Sequence, residues 1–232
     1  MMQTRAVDIL RSLAFYLIFY LGSIGFVLAA LLALIITPRL FLRASRAWSG
    51  WHAACVRVLL GIKVQIEGDL PKAPVLVAFK HESFFEAINM PYLLDRPVVF
   101  AKAELLRIPL WGRAGRAYGL IGVERDQGAK ALRTMVSEAR RLIAQGRPLV
   151  ISPEGRRIAH GETPPLQSGF AGLYKLLALP VVPMAINSGP LYHRRWKRAG
   201  VITIRFGDAI PAGLPRDEVE ARVTAAINVL NG

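Results

Sequence analysis

A histidine followed five residues later by a carboxylate, His81 and Glu86, stands just past the apolar run Pro74–Phe79. A neutral imidazole is the usual general base for a hydroxyl near neutral pH. A carboxylate on its other nitrogen fixes the tautomer and stabilises the imidazolium that forms. Such a pair needs no serine or cysteine nucleophile when the attacking hydroxyl belongs to the substrate. On one regular helix the two side chains would stand about 140° apart, so they meet only if His81 lies in a turn and Glu86 in the first helical turn. Ser83-Phe84-Phe85-Glu86 fits a capping box, with Ser83 as N-cap and Glu86 at N3. The same box admits a plainer reading, in which Glu86 only caps a helix and His81 is an ordinary loop histidine.

Cations recur at similar positions. Ser152-Pro153-Glu154-Gly155-Arg156-Arg157 closes one apolar run with an acid, a flexible glycine and two arginines. Gly119-Leu120-Ile121-Gly122-Val123-Glu124-Arg125 closes another with one arginine, and Lys102 follows Val98–Ala101. Taken singly, each is a solvated surface charge. Taken together at the ends of strands of one sheet, they describe an anion site, in which arginine can grip phosphate bidentately.

The elements that must position these residues are short apolar runs punctuated by Gly and Pro. Expected strands are Lys63–Glu67, Val75–Phe79, Val98–Ala101, Leu120–Val123, Pro148–Ser152, Val181–Asn187 and Val201–Phe206, several of them continuously apolar, as in strands covered on both faces. Expected helices are Phe84–Leu94, Gln127–Gln145, Gln167–Leu177 and Arg216–Leu230. The second of these places Leu132, Met135, Val136, Ala139, Leu142 and Ile143 on one face. The alternation predicts an α/β domain with a mostly parallel sheet flanked by helices. Active groups in such sheets gather at the carboxyl ends of strands, where His81, Arg125 and Glu154 fall.

Upstream, no charged residue occurs from Ser12 to Thr37, long enough for a helix to cross a hydrocarbon core of roughly 30 Å. Gly22, Ser23 and Gly25 would allow a kink midway, so either a single span or a re-entrant hairpin fits. Arg39, Arg43, Arg46, Arg57 and Lys63 follow without an intervening acid, which favours placing the C-terminal side in the cytoplasm by the positive-inside rule, while Arg5 and Arg11 put basic residues on the N-terminal side as well. Leu40–Ile62 carries an apolar stripe (Leu40, Ala44, Trp48, Trp51, Cys55, Val58) beside an arginine face. That pattern suits a helix in the headgroup region or one packed on the soluble domain. We therefore expect an N-terminal membrane helix pair over residues 1–62 and an α/β domain over residues 63–232. The net charge of +14 points to anionic partners. Nucleic acid is not expected among them, since no nucleic-acid motif or Walker-type loop occurs. A single cysteine, Cys55, excludes an internal disulfide and any multi-cysteine metal site, and we expect no metal.

Four ordered blocks resemble those of the PlsC-like glycerolipid acyltransferases, the 1-acyl-sn-glycerol-3-phosphate acyltransferase family, from about Lys63 to Phe206. His81 to Glu86 resembles the family's His-x4-Asp motif, with Glu for Asp. Gly119 to Arg125 resembles Gly-x-Ile-Phe-Ile-x-Arg, with Gly122 where an aromatic is usual. Ser152 to Arg157 resembles Phe-Pro-Glu-Gly-Thr-Arg, with Ser152 for Phe and Arg156 for Thr. Val182 to Gly189 resembles the fourth, proline-containing block. Lys102-Ala103-Glu104-Leu105 and Ile108-Pro109-Leu110-Trp111-Gly112 resemble the stretch between the first two.

The resemblance implies direct acyl transfer from an acyl thioester to the sn-2 hydroxyl of lysophosphatidic acid, giving phosphatidic acid. His81 would be the base and Glu86 its orienting carboxylate. Arg125, then Lys102 and Arg157, would bind the substrate phosphate. Glu154 and Gly155 would line the acceptor site, with a backbone N–H near Gly155 serving the oxyanion. No cofactor is implied beyond acyl-CoA or acyl-carrier protein as donor. The expected partners are membrane phospholipids and a lyso-lipid acceptor, and the expected location is a bacterial-type inner membrane with the catalytic domain on its cytoplasmic face. Acylation of another lyso-lipid, such as a lyso-aminolipid or lysophospholipid, is the alternative. A non-catalytic protein binding acidic lipid is a more distant one, and it predicts cations in runs instead of at strand ends.

Overall fold

The computed structural model describes residues 5–71, 74–123 and 128–231. Two long helices open the chain, α1 (Ala6–Ile36) and α2 (Pro38–Val58). They lead into β1 (Ile62–Glu67), β2 (Leu76–Phe79), α3 (Phe84–Leu93) and β3 (Val98–Lys102). A 3-10 turn (Ala103–Arg107), α4 (Trp111–Tyr118), β4 (Ile121–Val123), α5 (Gly128–Ile143) and β5 (Leu149–Ile151) follow. The chain closes with α6 (Ser168–Leu177), β6 (Val181–Ile186), the single turn α7 (Gly189–Tyr192), β7 (Gly200–Phe206) and α8 (Arg216–Ile227).

The strands form one sheet in the order β1-β7-β6-β2-β5-β3-β4. Every pairing is parallel except β6 with β7, so β1 and β7 run against the other five. The alternation of side chains along β2 divides the interior in two. Val77 and Phe79 face one cluster with Phe85, Cys55, Val56 and, from α1, Phe15 and Phe19. Leu76 and Ala78 face the other, with Met135, Val136, Ala139 and Leu142 of α5 and residues of α6 and α8. The result is a helix–sheet–helix sandwich in which β2 lies at the centre.

Among the described residues α1 is the one helix long and apolar enough to cross a membrane. It runs unbroken through Gly22, Ser23 and Gly25, and the first two serve packing against α2 instead of a kink. A Cβ on Gly22 would lie 2.5 Å from Trp51 Nε1, so glycine lets the indole of α2 lie on the α1 backbone. Ser23 Oγ accepts from Trp48 Nε1 at 2.9 Å. Trp48 and Trp51 of α2 thus face α1. The opposite side of α1 remains an exposed apolar stripe that includes Leu10, Leu13, Leu17, Leu21, Ile24, Leu28 and Leu32.

Candidate active site

Three neighbouring strands, β5, β2 and β6, end side by side, and the loops after them assemble one site. After Phe79 the chain leaves β2, with Lys80 N–H still bonded to Met184 O at 3.0 Å, and turns through His81 and Glu82 into α3. Ser83 is the N-cap of α3, its Oγ accepting from Phe85 N–H at 3.0 Å. Glu86, at N3, returns the bond by accepting from Ser83 N–H at 2.7 Å. That reciprocal cap is worth about 1 kcal/mol. It also decides the geometry of the pair, because Glu86 Oε1 accepts from His81 Nδ1 at 3.1 Å while capping. The two readings of Glu86 are therefore one arrangement.

Glu86 is held on both oxygens. Oε1 faces the turn, and Oε2 accepts from Ser83 Oγ at 3.0 Å and from Ser188 Oγ, after β6, at 2.7 Å. Its side chain is fully enclosed, whereas the His81 ring is 20 % exposed. With Nδ1–H on the carboxylate, the free lone pair of His81 is on Nε2.

Immediately before His81, Lys80 is buried with three acceptors at 2.7 Å, namely Glu154 Oε1, Glu162 O and Asn228 Oδ1. Burial pushes the Glu154 carboxyl up, and the Lys80 ammonium pulls it back. Glu154 Oε2 also accepts from His81 N–H at 3.4 Å. Glu154, which the resemblance places at the acceptor site, turns inward to Lys80 and to the turn that carries His81. Gly155 takes the left-handed conformation (φ +69°), and its own N–H donates to Ser152 O at 3.0 Å. Any oxyanion donor here would be a neighbouring amide.

Arg157 is exposed, with its guanidinium 4.3 Å from the ring centre of Phe84, the first residue of α3. Lys102 is exposed at the end of β3, and Arg156 is also exposed. Arg125 lies outside the described residues. Arg157, His81 and Lys197 all act on His193, whose ring is held below the usual imidazole range, first by burial and then by Arg157. The sequence reading passed over Lys80, Glu82, His160 and Ser188. Lys80, Glu82 and Ser188 sit inside quoted or adjacent blocks, but their partners lie 74 to 148 residues away and no local spacing announces them. For His160 the sequence carries no signal.

A base and an orienting carboxylate at the mouth of a parallel sheet can activate a hydroxyl brought by a substrate. Cys55 lies on the buried face of α2, packed in the cluster that holds Phe79 and Phe85. A family model for acyltransferases matches residues 61–187, and the chain belongs to that family. A 1-acyl-sn-glycerol-3-phosphate acyltransferase from Pseudomonas aeruginosa is 27 % identical over 215 residues, 89 % of this chain and 82 % of that protein. One from Helicobacter pylori is 30 % identical over 61 % of each chain. A lyso-ornithine lipid O-acyltransferase from Rhizobium meliloti is 32 % identical over 108 residues, 45 % of this chain and 35 % of that one. The solved structure of the 1-acyl-sn-glycerophosphate (LPA) acyltransferase PlsC from Thermotoga maritima shares the fold, with a TM-score of 0.73 at 17 % identity, over 97 % of this chain and 94 % of that one.

Proposed function

We propose that this protein acylates the sn-2 hydroxyl of lysophosphatidic acid, with acyl-CoA or acyl-carrier protein as donor, and releases phosphatidic acid. The observation that carries the proposal is the His81 Nδ1–Glu86 Oε1 contact of 3.1 Å, made by a partly exposed ring on a fully enclosed carboxylate. His81 Nε2 takes the proton of the acceptor hydroxyl as its oxygen bonds to the thioester carbonyl carbon. The tetrahedral intermediate collapses with cleavage of the C–S bond, and the proton on His81 passes to the departing thiolate. Glu86 stabilises the imidazolium between the two steps. Arg157 and Lys102 are proposed to bind the phosphate, with Arg125 joining them from the segment after β4.

The exposed apolar stripe of α1 supports residence on a membrane, where acceptor and product both dissolve. The basic residues after α1 favour the cytoplasmic face. In this reading residues 1–62 anchor and residues 63–232 catalyse. The Rhizobium relative supports a second acceptor class, a lyso-aminolipid, for the same chemistry. Purified protein given labelled acyl donor and a panel of lyso-lipids separates the two. Turnover of lysophosphatidic acid that disappears in His81→Ala is the expected result. Turnover of only another lyso-lipid would move the assignment to that acceptor, and equal activity of His81→Ala would remove the base.

A further inference from the structure

Beside His81–Glu86 stands a second histidine–carboxylate pair made of residues to which the reaction above gives no task. The Glu82 side chain is fully enclosed, and its Oε1 accepts from His160 Nδ1 at 2.9 Å. Its Oε2 accepts from Gly189 N–H at 2.7 Å. His160 comes from the loop after β5, and its ring is 26 % exposed. Each imidazole therefore engages a buried carboxylate through Nδ1 and keeps part of its ring in solvent.

The two carboxylates close on adjacent residues of one short segment. Glu86 Oε2 takes the Ser188 hydroxyl, and Glu82 Oε2 takes the next amide, that of Gly189. The segment is tightly seated, since a Cβ on Gly189 would come within 3.0 Å of Glu82 Oε2 and 3.4 Å of His160 Cβ. Burial is the main cause that raises the Glu82 carboxyl, and the bonds from Gly189 and His160 oppose it. The neighbouring Glu86 charge raises it further. Without His160, Glu82 would be a buried carboxylate with one hydrogen bond beside a second carboxylate, and such a group takes up a proton. A neutral carboxyl holds an amide less strongly than a carboxylate does. Gly189 would loosen, and with it the Ser188 hydroxyl on Glu86.

We propose that His160 is a positioning residue for the acyl transfer: through Glu82 and Gly189 it keeps Ser188 on Glu86, and so keeps Glu86 aimed at His81. This rests on the reading of His81 as the base. The loop after β5 is suited to the task, because it is tied to the same turn elsewhere by Ile158 N–H on His81 O at 2.8 Å and by Lys80 Nζ on Glu162 O at 2.7 Å.

The test compares full-length wild type, His160→Ala, His160→Asn and His81→Ala in lipid vesicles. The Asn amide can donate to Glu82 much as Nδ1 does. We expect His160→Ala to lose about tenfold in kcat with KM for lysophosphatidic acid within about twofold, as befits lost orientation. His160→Asn should return to within about threefold of wild type. Amide hydrogen exchange over residues 188–193, read in parallel, should be about tenfold faster in His160→Ala and near normal in His160→Asn. A loss of kcat that Asn does not repair would overturn the proposal by making the imidazole itself necessary. A rise in KM alone would overturn it by making His160 a headgroup contact. Faster exchange with unchanged kcat would overturn it by leaving the pair purely structural. If wild type acylates no lyso-lipid, the acyl-transfer reading falls and the positioning role with it, whereas the exchange data would still show whether His160 holds Gly189.

Discussion

Ser188 Oγ sits 2.7 Å from Glu86 Oε2 across 102 residues of chain. It closes a carboxylate already engaged by Ser83 N–H and His81 Nδ1 on its other oxygen. Glu86 is thus tied to the turn before its own helix, to the cap of that helix, and to the loop after β6. A side chain held from three directions has no room to swing, and its length matters as much as its charge.

Shortening it is therefore expected to be costly even though the family motif carries Asp. Glu86→Asp keeps the charge but cannot reach Ser188, His81 and the capping amide together from this backbone. We expect kcat to fall by about tenfold, and by about a hundredfold for Glu86→Gln, which puts an NH₂ among donors. Steady-state acylation of both variants checks this, and full activity of Glu86→Gln would return Glu86 to capping alone.

Lys80→Met leaves Glu154 buried without its cation, a change that typically costs about 3–5 kcal/mol. Thermal unfolding in detergent should show a lowered midpoint. Replacing both partners, Lys80→Met with Glu154→Gln, should recover part of the loss because no buried charge remains.

Arg157 is exposed and stacked on Phe84, so its removal should spare the fold. We expect Arg157→Ala to raise KM for lysophosphatidic acid by about tenfold while acylation of an uncharged monoacylglycerol changes little. An equal effect on both acceptors would argue against phosphate binding.

His52 of α2 is enclosed by Phe15, Phe19, Phe85 and Tyr192, with Nε2 on Tyr192 Oη at 2.8 Å and Nδ1 without a partner. Burial lowers it to about 3, and the Lys197 charge adds to this. A histidine depressed in the fold contributes stability that is present above its unfolded value near 6.5 and is lost as the pH falls toward 3. The loss is on the order of 4 kcal/mol across that window. Melting curves between pH 7 and pH 4 should fall steeply for wild type and less steeply for His52→Phe.

Much of this structure is legible from the sequence because its signals are local. All seven strands lie within two residues of their expected bounds, since most are short apolar runs ended by a polar, charged or turn residue. The buried face of α5 is the one its periodicity predicts. The capping box was readable for the same reason. The helix α4 was not, because Trp111-Gly-Arg-Ala-Gly-Arg-Ala-Tyr118 contains two glycines, which are poor helix formers. It forms by packing, with Gly112 so close under Leu106 that a Cβ would strike its carbonyl oxygen. The reversal of β7 leaves no mark in a strand's own letters. The inward turn of Glu154 depends on Lys80, 74 residues before it, and only the fold brings them together.

Phe15 and Phe19 of α1 lie in the same cluster as Phe79 and Phe85, the residues that flank the turn carrying His81. Ser12 Oγ of α1 also accepts from Lys197 N–H at 2.8 Å, in the loop beyond Ser188. The apolar helix is consequently not a leash on which a catalytic head could lean toward distant acceptors. Folding alone fixes where His81 stands relative to the exposed apolar stripe of α1. On the proposed function, meeting a bilayer-dissolved acceptor is a search in two dimensions that does not depend on the reach of a linker.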